Sequence, residues 1–362
     1  MPRSVGGNYY YVDRTDFLNE FLSYSLASVT LFTRPRRFGK TLFLSMLADF
    51  FDITKDSREL FAGLKVSAHE ELCRKRMNQY PVISLSLKDV AGDSFAKALK
   101  RLRSLVSDFC REHRSLLESS RLDTEERRKL KALHTQKADD VPLVDALLIL
   151  TRAMRYHHGK PAIVLIDEYD APLMYAAKNG YHEEMADFMR GFLSAGLKTN
   201  SDNLMFAVLT GCVRIPLADD YGGLNNLVCY DISGCRYADT FGFTEIEVDT
   251  LLDEAGLSCK REEVGDWYDG YRFGDIEHMH CPWNIVNYVC DAPDNLGDTL
   301  KAYWLDVSTN AQIRQFIRNS PLVWQKSWPC CFPDNSLHGR LSDRGVRGAD
   351  AALRTLSQSG RR

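Results

Sequence analysis

Two short clusters hold the residue types that handle a polyphosphate. The first is Arg34-Pro35-Arg36-Arg37-Phe38-Gly39-Lys40-Thr41. Gly39 lets the backbone approach an anion, so that consecutive N–H groups curl round a β-phosphate at a helix N-terminus. Lys40 is placed to reach the β- and γ-phosphates, and Thr41 to give its hydroxyl to Mg²⁺. Pro35, Arg36, Arg37 and Phe38 complete the binding loop. Its two arginines either add positive charge near the phosphates or face solvent. The second cluster is Asp167-Glu168-Tyr169-Asp170. Asp167 would hold Mg²⁺, often through water, and Glu168 would polarise the attacking water. Asp170 either supports the metal shell or caps the segment before Pro172. Together the clusters predict a chain that binds a nucleoside triphosphate with Mg²⁺ and hydrolyses it, with Lys40 and Glu168 catalytic.

One position departs from the usual loop pattern, G-x-x-x-x-G-K-[ST]. The first glycine falls on Arg34. Arginine takes positive φ at a cost that glycine avoids, and Pro35 restricts Arg34 to extended geometry. The entry to the loop must therefore differ from the usual one. A third element follows Leu204 to Leu209. Thr210, expected just past that run, would sense the γ-phosphate, and Arg214 would contact the phosphate or relay its presence. A turn residue and a surface charge remain the alternatives for these two. Lys160 and Arg236 read as solvated charges.

The elements that must position these groups are apolar runs, each followed by a turn and a helix. Val29 to Thr33, Pro81 to Leu87, Ala162 to Ile166, Leu204 to Leu209 and Leu227 to Ile232 read as five strands. This alternation predicts an α/β fold of the P-loop NTPase class, a mainly parallel sheet with helices on both faces. Helices are predicted near Phe17 to Leu22, over Leu42 to Phe51 after the loop, from Phe95 to Phe109, from Val141 to His157 and from Tyr181 to Leu197. The apolar residues from Leu42 to Phe51 cover nearly the whole helix circumference, which predicts burial. Residues 119 to 140 are charged and show no clear apolar stripe; an exposed helical excursion is expected there.

The expected domains are an ATPase core over 1–239, a small, mostly helical lid over 240–320 and a disordered or aberrant tail over 321–362. In the lid, Thr244-Glu245-Ile246-Glu247 spells a capping box and Gly256 a helix stop. Trp267-Tyr268-Asp269-Gly270-Tyr271 places an Asp-Gly turn between aromatics, a hairpin signal. Cys281-Pro282-Trp283 opens a further helix. In the tail, residues 338–362 hold arginines but no lysine and no aromatic, a composition that predicts disorder.

Composition narrows the function classes. The net charge of -3 argues against a surface that coats nucleic acid broadly. No apolar stretch is long enough to span a bilayer, and Met1 to Asn8 has no apolar core of a secretory signal. The ten cysteines include no C-x-x-C pair, which fits reduced thiols and a cytoplasmic protein.

These residues together resemble the predicted AAA-ATPase-like family of bacteria and archaea. The carriers are Tyr10-Tyr11-Val12-Asp13-Arg14-Thr15, Arg34 to Thr41, Ile166 to Pro172, Leu209-Thr210-Gly211, Gly223 to Leu227, Phe241 to Glu245, Tyr268 to Tyr271 and Pro282-Trp283. The R-P-R-R-F-G-K-T form is itself what such proteins look like. The resemblance implies an ATP-binding module with a helical lid, in a family whose members commonly carry a C-terminal restriction-endonuclease-like domain. Here no glutamate follows Glu277, so the core of that nuclease is not expected in this sequence. The expected function is ATP hydrolysis that drives lid or partner movement. A nucleotide-dependent switch with little turnover, and a remnant of an ATPase-nuclease, remain the alternatives. Expected partners are ATP and either another protein or a second copy of the chain. Nucleic acid enters only through the family resemblance, and no membrane is expected.

Overall fold

A computed structural model describes residues 10–24, 28–136, 142–215, 224 and 226–292. The chain divides into two compact units. The first runs through Arg34 and resumes from Lys40 to Asp231; the second joins Pro35–Gly39 to the chain from Ile232 onward. The expected tail from 321, and the end of the expected lid, lie outside the described residues.

The first unit is built on five strands: β1 (Val29–Thr33), β2 (Val82–Ser86), β3 (Ala162–Asp167), β4 (Leu204–Gly211) and β5 (Leu227–Tyr230). Their order is β2-β3-β4-β1-β5, and every pairing is parallel. Every residue of β1 and β3 is buried. That is why each reads as an unbroken apolar run: a parallel sheet is covered on both faces, so neither face of a central strand needs polar side chains. The edge strands β2 and β5 are partly exposed.

The helices α1 (Phe17–Tyr24), α2 (Lys40–Phe51), α3 (Phe95–Glu112), α4 (Thr124–His134), α5 (Ala146–His158), α6 (Ala171–Asn179) and α7 (His182–Leu197) belong to this unit. Helix α2 packs on β3 and β4, as its all-round apolar sequence predicts. Phe17 of α1 meets Phe43 of α2 edge-on at 4.7 Å, and Phe21 meets Phe206 of β4 at 5.4 Å. These rings fix α1 and the start of α2 against the sheet.

Four expectations need correction. The charged stretch 119–140 does contain a helix, α4, capped by Asp123 through Glu126 N at 2.8 Å. It is not simply exposed: Leu122, Leu130 and Leu133 are buried, and α4 packs on α3 and α5. Helix α6 was not anticipated, because Asp-Glu-Tyr-Asp-Ala-Pro reads as a turn. Pro172 sits in its first turn, where a missing N–H costs nothing. Thr210 lies inside β4 rather than past its end. Lys160 is not merely solvated; its ammonium donates to Gln79 Oε1 at 2.9 Å.

The second unit holds α8 (Glu245–Glu254), α9 (Arg261–Tyr268), α10 (Pro282–Asp291) and the strands β6 (Phe243–Thr244), β7 (Tyr271–Phe273) and β8 (Ile276–His280). The strands form an antiparallel sheet in the order β6-β8-β7, so this unit is less helical than the sequence implied. The capping box is present: Thr244 Oγ1 accepts from Glu247 N, and Glu247 Oε2 accepts from Thr244 N at 2.9 Å. Gly256, at φ +72°, follows α8 as expected. The hairpin exists, but its turn is Gly274-Asp275; Asp269-Gly270 instead leads out of α9. Val248, Leu252, Val264, Tyr268, Ile285 and Tyr288 form a shared core for the three helices. Phe38 also belongs to this unit. Its buried ring lies 4.8 Å from Tyr271 and 5.3 Å from Phe273. Arg37 stacks its guanidinium 4.4 Å over Trp283, and Arg236 lies 5.2 Å over Tyr237.

Candidate nucleotide site

The register of the sheet brings three strand ends together. Phe32 pairs with Thr210, Thr33 with Gly211, and Ile166 with Leu209. Asp167, Thr210 and Arg34 therefore emerge side by side at the carboxyl edge, the edge where open α/β sheets bind ligands. Strand β4 lies between the strand that leads into the loop and the strand that carries the acid pair.

Asp167 is the centre of the cluster. Its carboxylate is buried and takes three donors. Thr41 Oγ1 donates to Oδ2 at 2.5 Å, across 126 residues of chain. Thr210 Oγ1 donates to Oδ1 at 2.6 Å, and Glu168 N donates to the same oxygen at 3.0 Å. Thr210 is fully buried. Its hydroxyl thus orients Asp167, a placement different from the phosphate sensor that the sequence implied. Arg214, two residues past Cys212, is exposed.

Glu168 is half-buried, and among the described residues its carboxylate makes no hydrogen bond or ion pair. Its backbone sits at φ +50°. A non-glycine residue in this region stores roughly 1–3 kcal/mol of strain, a cost that recurs at functional sites. Lys40 is buried, and its ammonium donates to the Arg34 carbonyl at 3.0 Å, with Cys212 Sγ 3.6 Å away.

Arg34 explains the missing glycine. It does not take positive φ; the left-handed positions of the loop are Arg37 at +67° and Gly39 at +85°. Nothing would obstruct a Cβ at Gly39, so glycine is needed there for conformation rather than for space. Arg34 itself turns inward. Its N–H pairs with Gly211 O at 3.1 Å, and Nη1 donates to Thr33 O and Tyr230 O, both at 2.9 Å. Burial pulls its pKa down to about 10, against the pull of Asp231.

The segment after β4 is fastened by two residues that the sequence did not single out for this task. Asp170 Oδ2 accepts from Cys212 N at 2.8 Å and Val213 N at 3.0 Å. Tyr169 donates its hydroxyl to Val213 O at 2.7 Å and accepts from Ile215 N at 2.8 Å. Asp170 thus makes no side-chain cap on α6. A Cβ at Gly211 would lie 2.6 Å from the Tyr169 ring and 2.8 Å from Asp170 Oδ1. Gly211→Ala should therefore destabilise the fold by roughly 1–3 kcal/mol, as overpacking does, read as a lower urea midpoint with unchanged slope.

Burial raises the Asp170 carboxyl from the ordinary 3.8 to about 6, partly offset by its two backbone N–H donors and the Lys40 ammonium. The folded protein then binds this proton more tightly than the unfolded chain. The contribution of Asp170 to stability is greatest below about pH 4 and falls as pH rises to about 6. Urea melts of wild type and Asp170→Asn across this window should show the difference shrinking in that direction; a pH-independent difference would contradict it.

Hydroxyl and carboxylate oxygens are the hard donors that Mg²⁺ takes, with phosphate and water completing its shell. Thr41 and Asp167 fit that chemistry. Among the described residues no three His, Cys, Asp or Glu side chains gather to hold a metal by themselves, so such an ion would depend on the nucleotide as well.

A family model described as a predicted AAA-ATPase matches residues 4–219. The chain belongs to this family. The match spans the AAA-ATPase-like loop, the acid pair and β4; the motifs from Gly223 onward lie beyond it. A relative from Azotobacter chroococcum mcd 1, described as an uncharacterized protein in the vnfD 5′ region, is 27% identical over 282 residues. The alignment covers 78% of this chain and 48% of that protein, so the chain spans about half the length of the curated relative. No helix among the described residues is long and apolar enough to cross a membrane, and the described cysteines are free thiols.

Of the residues singled out from the sequence, Thr41 meets Asp167 directly, Glu168 reaches Asp167 through its backbone N–H, and Lys40 lies against the Arg34 carbonyl and the Cys212 sulfur. Pro35, Arg36, Arg37, Phe38 and Gly39 group with the second unit, and the Phe38 side chain is taken up by its aromatic cluster. What sequence reasoning passed over is Tyr169, Cys212, the inward hydrogen bonds of the Arg34 side chain and those that Asp170 accepts from the segment after β4. The signal available for them was Leu209-Thr210-Gly211, a glycine where a strand exits beside the acid pair.

Proposed function

We propose that the chain binds ATP with Mg²⁺ and hydrolyses it. The observation that carries this reading is the hydrogen bond from Thr41 Oγ1 to Asp167 Oδ2 at 2.5 Å. It joins the hydroxyl and the carboxylate that P-loop ATPases use to hold magnesium. Bound there, Mg²⁺ would neutralise charge on the β- and γ-phosphate oxygens. Lys40 has its ammonium on the Arg34 carbonyl and would exchange that acceptor for phosphate. Glu168, whose carboxylate makes no hydrogen bond or ion pair among the described residues, would orient the attacking water and take its proton. Thr210 would keep Asp167 in the orientation that faces Thr41. Membership of an ATPase family supports a nucleotide as the ligand. Turnover would drive movement of a lid or of a partner.

The test is a thermal melt. A saturating ligand that binds only the folded state stabilises it by about 2.7 kcal/mol at a hundredfold excess over Kd. For a chain of this size the midpoint should rise by roughly 3–4 °C with Mg-ATP, and not with ATP plus chelator. A midpoint that ignores millimolar Mg-ATP would sink the proposal. A cooperative, ligand-shifted melt would also contradict the reading of the chain as an inactive remnant.

A further inference from the structure

We propose that Asp170 is a positioning residue for Lys40, acting through the backbone of Cys212. The inference rests on the reading of Lys40 as a phosphate ligand. Asp170 is 2% exposed, and its Oδ2 takes the N–H groups of Cys212 at 2.8 Å and Val213 at 3.0 Å. Those bonds fix the peptide that leaves β4, and with it the root of the Cys212 side chain. The Cys212 sulfur stands 3.6 Å from Lys40 Nζ, and the Arg34 carbonyl takes the same ammonium at 3.0 Å. The carboxylate packs close to β4 at a position that only glycine leaves open, since a Cβ at Gly211 would be 2.8 Å from its Oδ1. Tyr169 holds the far side of the same peptide through Val213 O and Ile215 N. The Lys40 charge also acts on Asp170 through space and favours its ionised form. A lysine side chain has many rotamers to lose on binding. Holding the ammonium in place beforehand removes part of that cost, which appears as affinity.

The test uses Asp170→Asn and Cys212→Ala in the full chain. Three quantities are read: Mg-ATP affinity, kcat, and the acylation rate of the Lys40 amine by an N-hydroxysuccinimide ester without nucleotide. Asp170→Asn should weaken Mg-ATP roughly tenfold, change kcat far less, and speed Lys40 acylation. In a Lys40→Ala background the same change should alter affinity by less than about twofold. Wild-type affinity with wild-type acylation, or a full effect without Lys40, would overturn the proposal. If Asp170→Asn does not fold, Cys212→Ala decides. Its side chain is half-buried, and it should weaken Mg-ATP and speed acylation, while Cys212→Ser stays near wild type; unchanged values in Cys212→Ala would overturn the proposal. Should Lys40→Ala bind Mg-ATP as tightly as wild type, the reading of Lys40 as a phosphate ligand fails instead, and the acylation rates still decide the positioning.

Discussion

Glu168→Gln should keep Mg-ATP affinity and lose phosphate release by about two to four orders of magnitude, the usual worth of a general base. The amide matches the carboxylate in size and can still hold a water, but it cannot take a proton at neutral pH. The change leaves the Asp167 carboxylate untouched, because Glu168 reaches it through its backbone N–H at 3.0 Å. The backbone at φ +50° also stays as it was, since both side chains bear the same strain there. Affinity and chemistry should therefore separate cleanly, which marks an interaction made only in the transition state. Steady-state and single-turnover phosphate release, beside an equilibrium titration, provide the measurement. Unchanged turnover would remove Glu168 as the base. Tight binding without turnover in the wild type would favour the nucleotide-dependent switch.

Lys40→Ala should weaken Mg-ATP by about a hundredfold, on the order of 2.7 kcal/mol, as expected for losing a charged donor to phosphate. It should also abolish the melting shift. Lys40→Arg should not restore affinity. The ammonium occupies a buried slot between the Arg34 carbonyl and the Cys212 sulfur, and a planar guanidinium neither fits a point-charge site nor shares its hydrogen-bond directions. An isothermal titration of both variants checks the prediction; wild-type affinity in Lys40→Ala would end the case for this lysine as a phosphate ligand.

The fold was legible where burial on both sides leaves a chemical trace. Val29 to Thr33 and Ala162 to Ile166 read as strands because a covered parallel strand needs no polar face. The capping box at Thr244 and Glu247 was legible because it is local, two side chains reaching three residues. Elements that depend on distant partners were not. Helix α4 hides a narrow buried stripe, Leu130 and Leu133, among charges. Helix α6 begins at Asp-Ala-Pro, which by itself favours a turn. The small β-sheet of the second unit rests on strands of two to five residues, too short for a period to emerge. The acid pair and the Lys-Thr pair were singled out by residue type and spacing. The work of Asp170 was not, because it is done on a peptide more than forty positions away.

Arg34 has a broader consequence. Glycine at the head of a phosphate loop is usually treated as a requirement of the ligand. Here that position has become part of the sheet, a strut from β1 to β4 and β5, and the tight curvature has moved along to Arg37 and Gly39. Descent with this altered loop would keep the arginine for the sake of the scaffold. A pattern that demands glycine there would pass over such chains, whereas one keyed to G-K-T plus a buried base six residues before the lysine would gather them.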